Sequence, residues 1–150
     1  VKIKKKQLDP ITSFKGDHHF LSNFYLCAVD FGGIQYPSSE HAYQAQKSKH
    51  RHVKLFIANK STPGQATRAG QGIHIREGWD AEKLEVMERI LRKKFANHYL
   101  KRLLQATGNA ELIEGNEWHD TFWGMCNGLG QNQLGLILMK IRKDANEDQN

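Results

Sequence analysis

Cysteine is scarce in this chain, and apolar runs long enough to cross a bilayer are missing. Of 150 residues only two are Cys, and Cys27 and Cys126 are far apart, matching neither a metal nor a redox spacing. Both are expected to be reduced, packed thiols in a cytosolic setting. The first residues, Val1-Lys2-Ile3-Lys4-Lys5-Lys6, lack the apolar segment of a signal peptide. The expectation is a cytoplasmic protein with no membrane partner. The eight His form no metal set. His50 and His52 are two apart and fall on different helix faces, while His18-His19 precede a loop. No metal and no cofactor are expected. No internal repeat or linker interrupts the chain.

The length suits one domain with its own hydrophobic core. The formal charge is +6, which favours anionic partners, but much of it sits on Lys2, Lys4, Lys5 and Lys6. That cluster is equally well read as a solvated arm. From Ile11 to Tyr36 the sequence lacks helical periodicity and carries β-formers: Ile11-Thr12-Ser13-Phe14, Phe24-Tyr25-Leu26-Cys27-Ala28-Val29 and Ile34-Gln35-Tyr36. Asp30-Phe31-Gly32-Gly33 reads as a hairpin turn. Ser38 or Ser39 then caps a helix with Glu40 near its positive end.

Helices are predicted from there on. One spans Val53 to Asn59, and another starts at Thr62-Pro63 and ends at Gly70 or Gly72. Asp80 caps the strongest, with Leu84, Met87, Ile90, Leu91 and Phe95 on one face and Glu85–Arg89 and Glu88–Arg92 outside. Leu100 to Thr107 forms a short helix ended by Gly108. The last begins at Leu134, offering Leu136, Ile137, Met139 and Ile141 to the core, and Asp144 to Asn150 is expected to fray. Strands first and helices after predict an α+β fold: a single compact, mostly helical domain with a small N-terminal antiparallel β element.

Two stretches carry chemistry. In Glu40-His41-Ala42-Tyr43-Gln44-Ala45-Gln46-Lys47, a rotation of 100° per residue puts Glu40, Tyr43, Gln44 and Lys47 on one face. This helix has no Leu, Ile or Val, so its polar face either lines a cleft or faces solvent. A carboxylate beside a ribose C1′ stabilises the positive charge that develops as a C1′–N bond breaks. Glu40 and Asp120 are the candidates. A deprotonated Lys47 can attack C1′ of an opened sugar and form a Schiff base, and nearby Lys49 and Arg51 are expected to lower its pKa. The second stretch, Gly115 to Gly135, sets Trp118 and Trp123 beside Asp120 in a Gly-rich loop. Its Trp residues, like Trp79, serve either as core or as plates that stack a base. Gly128 and Gly130 before a helix either bring backbone N–H groups to a phosphate or make a tight turn. Their spacing is not a dinucleotide fingerprint.

Several motifs occur together in one order: Phe20-Leu21-Ser22-Asn23-Phe24, Pro37-Ser38-Ser39 through Lys47, Arg76-Glu77-Gly78-Trp79-Asp80, Leu103 to Gly108, Asp120-Thr121-Phe122-Trp123-Gly124 and Gly130-Gln131-Asn132-Gln133-Leu134-Gly135. In this the chain resembles the YbiA-like family, also called NADAR domains. The resemblance implies N-glycosidase activity, a hydrolase reaction on N-glycosyl compounds. Its substrates would be phosphorylated intermediates of riboflavin biosynthesis, or ADP-ribose carried on guanine in DNA or RNA. It implies Glu40 as the acidic site residue, Lys47 as the Schiff-base lysine and Asp120 as a further catalytic carboxylate. Asn23, Tyr43, Arg76, Trp79, Trp123 and Asn132 would bind substrate, Arg76 through phosphate. Trp118-His119 and the Met125–Leu129 segment depart from the family pattern and bear on base specificity.

The resulting expectation is a basic arm over residues 1–13, an N-glycosidase domain over 14–143 and a polar tail over 144–150. The partner would be a phosphorylated ribosyl or ADP-ribosyl small molecule, and the oligomeric state is left open. Two competitors remain. One is a module that binds NAD or ADP-ribose without cleaving it; the other is a basic nucleic-acid-binding protein whose affinity falls steeply with salt.

Overall fold

The computed structural model describes residues 2–148. They form two units, named here for their place along the chain. The middle unit is Asn23–Asn97, and the terminal unit takes the residues up to Ser22 and from His98 onward. The expected α+β class is observed, with an early antiparallel hairpin and helices dominating the regular structure after it.

In the middle unit β1 (Leu26–Phe31) pairs antiparallel with β2 (Ile34–Ser38), setting Val29 opposite Tyr36 and Asp30 opposite Gln35. Gly32 and Gly33 have φ of 58° and 80°, the two positive values that a two-residue hairpin turn requires. Asp30 and Phe31 therefore belong to the strand, and the turn is the Gly pair alone. In β2 Ile34, Tyr36 and Ser38 are buried and Gln35 is exposed, the alternation of a half-buried strand.

β2 runs into α1 (Ser39–Ala45) with no residue between them, since Ser38 ends the strand and caps the helix. Ser38 Oγ accepts from His41 N at 3.1 Å, and Asn23 O accepts from Glu40 N at 3.1 Å. Those bonds satisfy first-turn amides that the helix itself leaves unpaired. α1 then packs against α2 (Arg51–Ala58), α3 (Pro63–Gln71), α4 (Trp79–Lys94) and both strands. All seven of its residues are buried, so the polar face does not lie open to solvent. Enclosure on every side explains the missing Leu, Ile and Val. Ala42 and Ala45 let neighbours approach, and Gly70 of α3 makes room for Gln44, whose Oε1 lies 2.0 Å from where a Cβ would stand.

α3 starts at the Thr62 cap with Pro63 in its first turn, as predicted. α4 differs in its first turn. Its cap is Gly78, with φ of 81°, and Asp80 lies inside the helix. It buries Trp79, Val86, Met87, Ile90, Leu91 and Lys94, with Phe95 buried at its C-cap, while Leu84 is exposed. Arg92 reaches Glu88 at 3.1 Å, and Arg89 lies 5.4 Å from the Phe31 ring centroid.

The terminal unit contains a 3-10 helix (Gly16–Leu21), α5 (His98–Ala106) and α6 (Gln133–Glu147). Ile11-Thr12-Ser13-Phe14 is not a full strand but contributes a parallel bridge between Ile11 and Leu112. α6 buries Leu134, Ile137, Leu138, Ile141 and Ala145, whereas Leu136 faces out. It stays helical to Glu147, past the predicted fraying point, and Gln149 and Asn150 lie outside the described residues. The N-terminal segment is tied down before Ile11. Gln7 Nε2 donates to Asn109 O at 2.6 Å, Leu8 N donates to Asn109 Oδ1 at 3.0 Å, and Asn109 Nδ2 donates to Lys6 O at 3.2 Å. Among the described residues no helix is long and apolar enough to cross a membrane. Both cysteines are free thiols, and burial pushes the Cys27 pKa up, against the pull of Lys94.

Candidate functional site

In the middle unit the structure gathers Glu40, Tyr43, Lys47, Arg76 and Trp79 around α1. Glu40 Oε1 accepts from Gln44 Nε2 at 2.8 Å and from Thr67 Oγ1 at 2.8 Å. Both bonds fall on one oxygen, which leaves Oε2 as the one open to a proton or a ligand. The Tyr43 and Trp79 rings pack 5.2 Å apart, tilted by 51°. Lys47 Nζ lies 5.9 Å from the Tyr43 centroid, and the Arg76 guanidinium 5.3 Å from that of Trp79.

Lys47 lies just beyond the C-cap of α1, half-buried. Its pKa is lowered first by burial, then by the positive charge of Lys83, while Glu40 opposes the shift. The expected neighbours Lys49 and Arg51 are not the cause. The charge that lowers the Lys47 pKa, that of Lys83, comes from α4. Arg76 is anchored on the same turn: its backbone N donates to Lys47 O at 2.8 Å and its Nε to Gln46 O at 2.9 Å. It also pairs with Glu82. Lys54 Nζ donates to Gln46 Oε1 at 3.1 Å, and its pKa is lowered by burial first and Arg76 second.

Asn23 holds the start of α1. Besides its carbonyl bond to Glu40 N, its Oδ1 accepts from Ser39 Oγ at 2.8 Å and its Nδ2 faces Met87 Sδ at 3.5 Å. His41, which the sequence reading passed over, closes a buried circuit. Its Nδ1 meets Ser38 Oγ at 2.6 Å and its Nε2 donates to Lys60 O at 2.9 Å. Thr67, Gln46, Lys54 and Lys83 were also missed. Only Gln44 carried a local signal, four residues after Glu40 on the same face.

Asp120, Trp123 and Asn132 lie in the terminal unit. Asp120 Oδ1 accepts from Phe122 N at 3.2 Å and Trp123 N at 2.9 Å, while Asn116 takes up its backbone N and O. Trp123 is partly buried and meets Phe122 edge-on, with centroids 4.9 Å apart. Asn132 caps α6 at φ of 50°. Its Oδ1 accepts from Glu114 N at 3.0 Å and its Nδ2 donates to Leu112 O at 2.9 Å. Its amide is thus engaged by backbone at both ends.

The phosphate reading of the Gly128–Gly130 turn does not fit the structure. The first α6 amides are taken, Gln133 N by Phe122 O at 3.1 Å and Leu134 N by Trp123 O at 3.0 Å. Asn127 and Gly128, with φ of 53° and 74°, make a tight turn closed by paired Cys126 and Leu129 bonds. Gly130 is required because a Cβ would lie 2.3 Å from Gly124 O. Trp118 is exposed.

Residues 12–145 match the NADAR domain family. The chain belongs to the NADAR domain family. The N-glycosidase YbiA of Escherichia coli (strain K12) is 36% identical over 149 residues, covering 95% of this chain and 92% of that protein. An N-glycosidase of Nostoc punctiforme is 34% identical over 130 residues, 82% of this chain and 83% of that one. A riboflavin biosynthesis protein of Vibrio vulnificus is 39% identical over 144 residues, 92% of this chain, which spans only 39% of that protein's length. The NMR structure of E. coli YbiA superposes with a TM-score of 0.83 at 33% identity, covering 98% of this chain and 89% of that one. The NADAR fold is therefore shared over essentially the whole described chain.

Proposed function

We propose that this NADAR chain is an N-glycosidase that cleaves the ribose C1′–N bond of a phosphorylated, ribosylated base, with Glu40 and Lys47 at the centre of the chemistry. The observation that carries this reading is the shared face of α1 and its extension. It presents a carboxylate with one oxygen saturated and, two turns on, an amine whose pKa is pushed down. The names of the YbiA and Nostoc relatives support the reaction class, and that of the Vibrio relative supports a riboflavin-pathway intermediate as substrate.

Glu40 handles the proton as the sugar ring opens, which leaves C1′ as an imine to the base nitrogen. The free amine of Lys47 adds to C1′ and displaces the base, which leaves with its nitrogen protonated as an amine. Water then hydrolyses the lysine imine, releasing the sugar phosphate as an aldehyde and restoring the amine. Arg76, with Lys54 beside it on Gln46, offers positive charge for the phosphate. Tyr43 and Trp79, both buried, pack on each other behind Lys47 and Arg76 and support them from the core side.

The test is incubation with a phosphorylated riboflavin-pathway intermediate and with ADP-ribosylated guanine, followed by mass spectrometry. Release of free base by the wild type, lost in Glu40→Gln at unchanged melting temperature, is the expected result. The substitution keeps an oxygen that can accept from Gln44 and Thr67, so the fold is not what it probes. Binding of either compound without cleavage would replace this reading with that of a non-catalytic ADP-ribose module.

A further inference from the structure

The bonds onto Glu40 come from two different helices. Gln44 is on α1, one turn beyond Glu40, and Thr67 is on α3, 27 residues away in sequence. We infer that Thr67 and Gln44 are positioning residues that together fix the Glu40 carboxylate, saturating Oε1 so that Oε2 alone meets the substrate. The inference rests on the proposed role of Glu40 and extends it to a helix that no sequence motif singled out.

The geometry is specific. The Thr67 hydroxyl has one proton and two acceptors in reach, Glu40 Oε1 at 2.8 Å and Pro63 O at 3.1 Å. The bond to the carboxylate is shorter and charge-assisted, so it takes the proton. Gln44 is buried, and its amide N–H faces Glu40 while its Oε1 has no hydrogen-bond partner. That oxygen rests against Gly70 of α3. α3 thus acts on Glu40 twice, directly through Thr67 and indirectly by seating Gln44 through Gly70, three residues further along the same face. A buried amide with one end unpaired is costly, and its other end is committed to Glu40. This fits a group retained for orienting a neighbour.

A carboxylate held by two donors on one oxygen cannot rotate to exchange its oxygens without breaking both bonds. The proton-handling oxygen is then fixed in place before substrate arrives, which is how preorganisation speeds a step. Neither Thr67 nor Gln44 need touch substrate for this to hold.

The experiment measures kcat and KM for base release by the full chain in Thr67→Val, Thr67→Ser, Gln44→Met and Glu40→Gln, with a melting temperature for each. Thr67→Val keeps the shape and removes the donor. Its kcat is expected to fall about tenfold, the size of one lost hydrogen bond to a charged group, with KM within about twofold. Thr67→Ser, which restores the hydroxyl, should recover most of the rate, and Gln44→Met should repeat the fall independently. Wild-type kcat in both Thr67→Val and Gln44→Met, or no rescue by Thr67→Ser, overturns the inference. If Glu40→Gln is then inactive, the proposed role of Glu40 survives and only the clamp fails. Full activity in Glu40→Gln removes both.

Discussion

At the residue scale the informative groups are those whose surroundings alter their chemistry. Burial and Lys83 lower the Lys47 pKa despite Glu40, so free amine is present at lower pH than for an ordinary lysine. The expected outcome is a rate that rises with pH, with its midpoint below that of an ordinary lysine. Borohydride added during turnover should attach the sugar to Lys47, and Lys47→Arg should show neither effect. The sign for stability is the same. The folded chain holds this proton less tightly than the unfolded one, so the contribution of Lys47 improves as pH rises through that window. Asp120 calls for a different pair of substitutions. Asp120→Ala removes the acceptor for Phe122 N and Trp123 N and should cost about 1 kcal/mol, read as a lower melting temperature. Asp120→Asn keeps that acceptor and should melt with the wild type. A fall in its turnover would then report the missing charge. Sequence reasoning grouped Glu40, Lys47 and Gln44 on one face because they share a helical period. It missed Thr67 and Lys83 because contacts between helices leave no local pattern.

At the scale of elements, the legible parts were those with strong local chemistry. The Thr62-Pro63 start and the Gly108 stop occur where the sequence placed them, and the hairpin turn falls on the last two of the four residues expected for it, Gly32 and Gly33. The α4 cap was misplaced by two residues because Gly78 can take a left-handed conformation that an Asp cap does not need. α1 resisted reading for another reason. Its surroundings, not its own residues, make it a core helix, and periodicity sees only the element itself. The closeness of α3 to α1 also makes a prediction. Gly70→Ala places a methyl 2.0 Å from Gln44 Oε1 and should destabilise the fold by about 1–3 kcal/mol while lowering turnover, measured by thermal melting and base release. An Ala at Gly64, where the nearest atom is 4.0 Å away, serves as the tolerated control.

At the scale of the whole molecule, the question is how much of the basic N-terminus belongs to the fold. The bonds of Lys6, Gln7 and Leu8 to Asn109 tie the arm to the terminal unit from Lys6 onward. Removing residues 1–5 takes three lysines from the formal +6 and should leave the melting temperature and base release unchanged. Any salt-sensitive affinity for nucleic acid would weaken in that variant. Removing residues 1–11 also deletes the Ile11–Leu112 bridge and should lower the melting temperature. That bridge sets an order of events during synthesis. Closing a loop of about a hundred residues costs about 4 kcal/mol in chain entropy, and Ile11 leaves the ribosome long before Leu112 exists to receive it. The uninterrupted stretch Asn23–Asn97 can meanwhile gather its own helices. Ile11 therefore waits for a native partner made about a hundred residues after it.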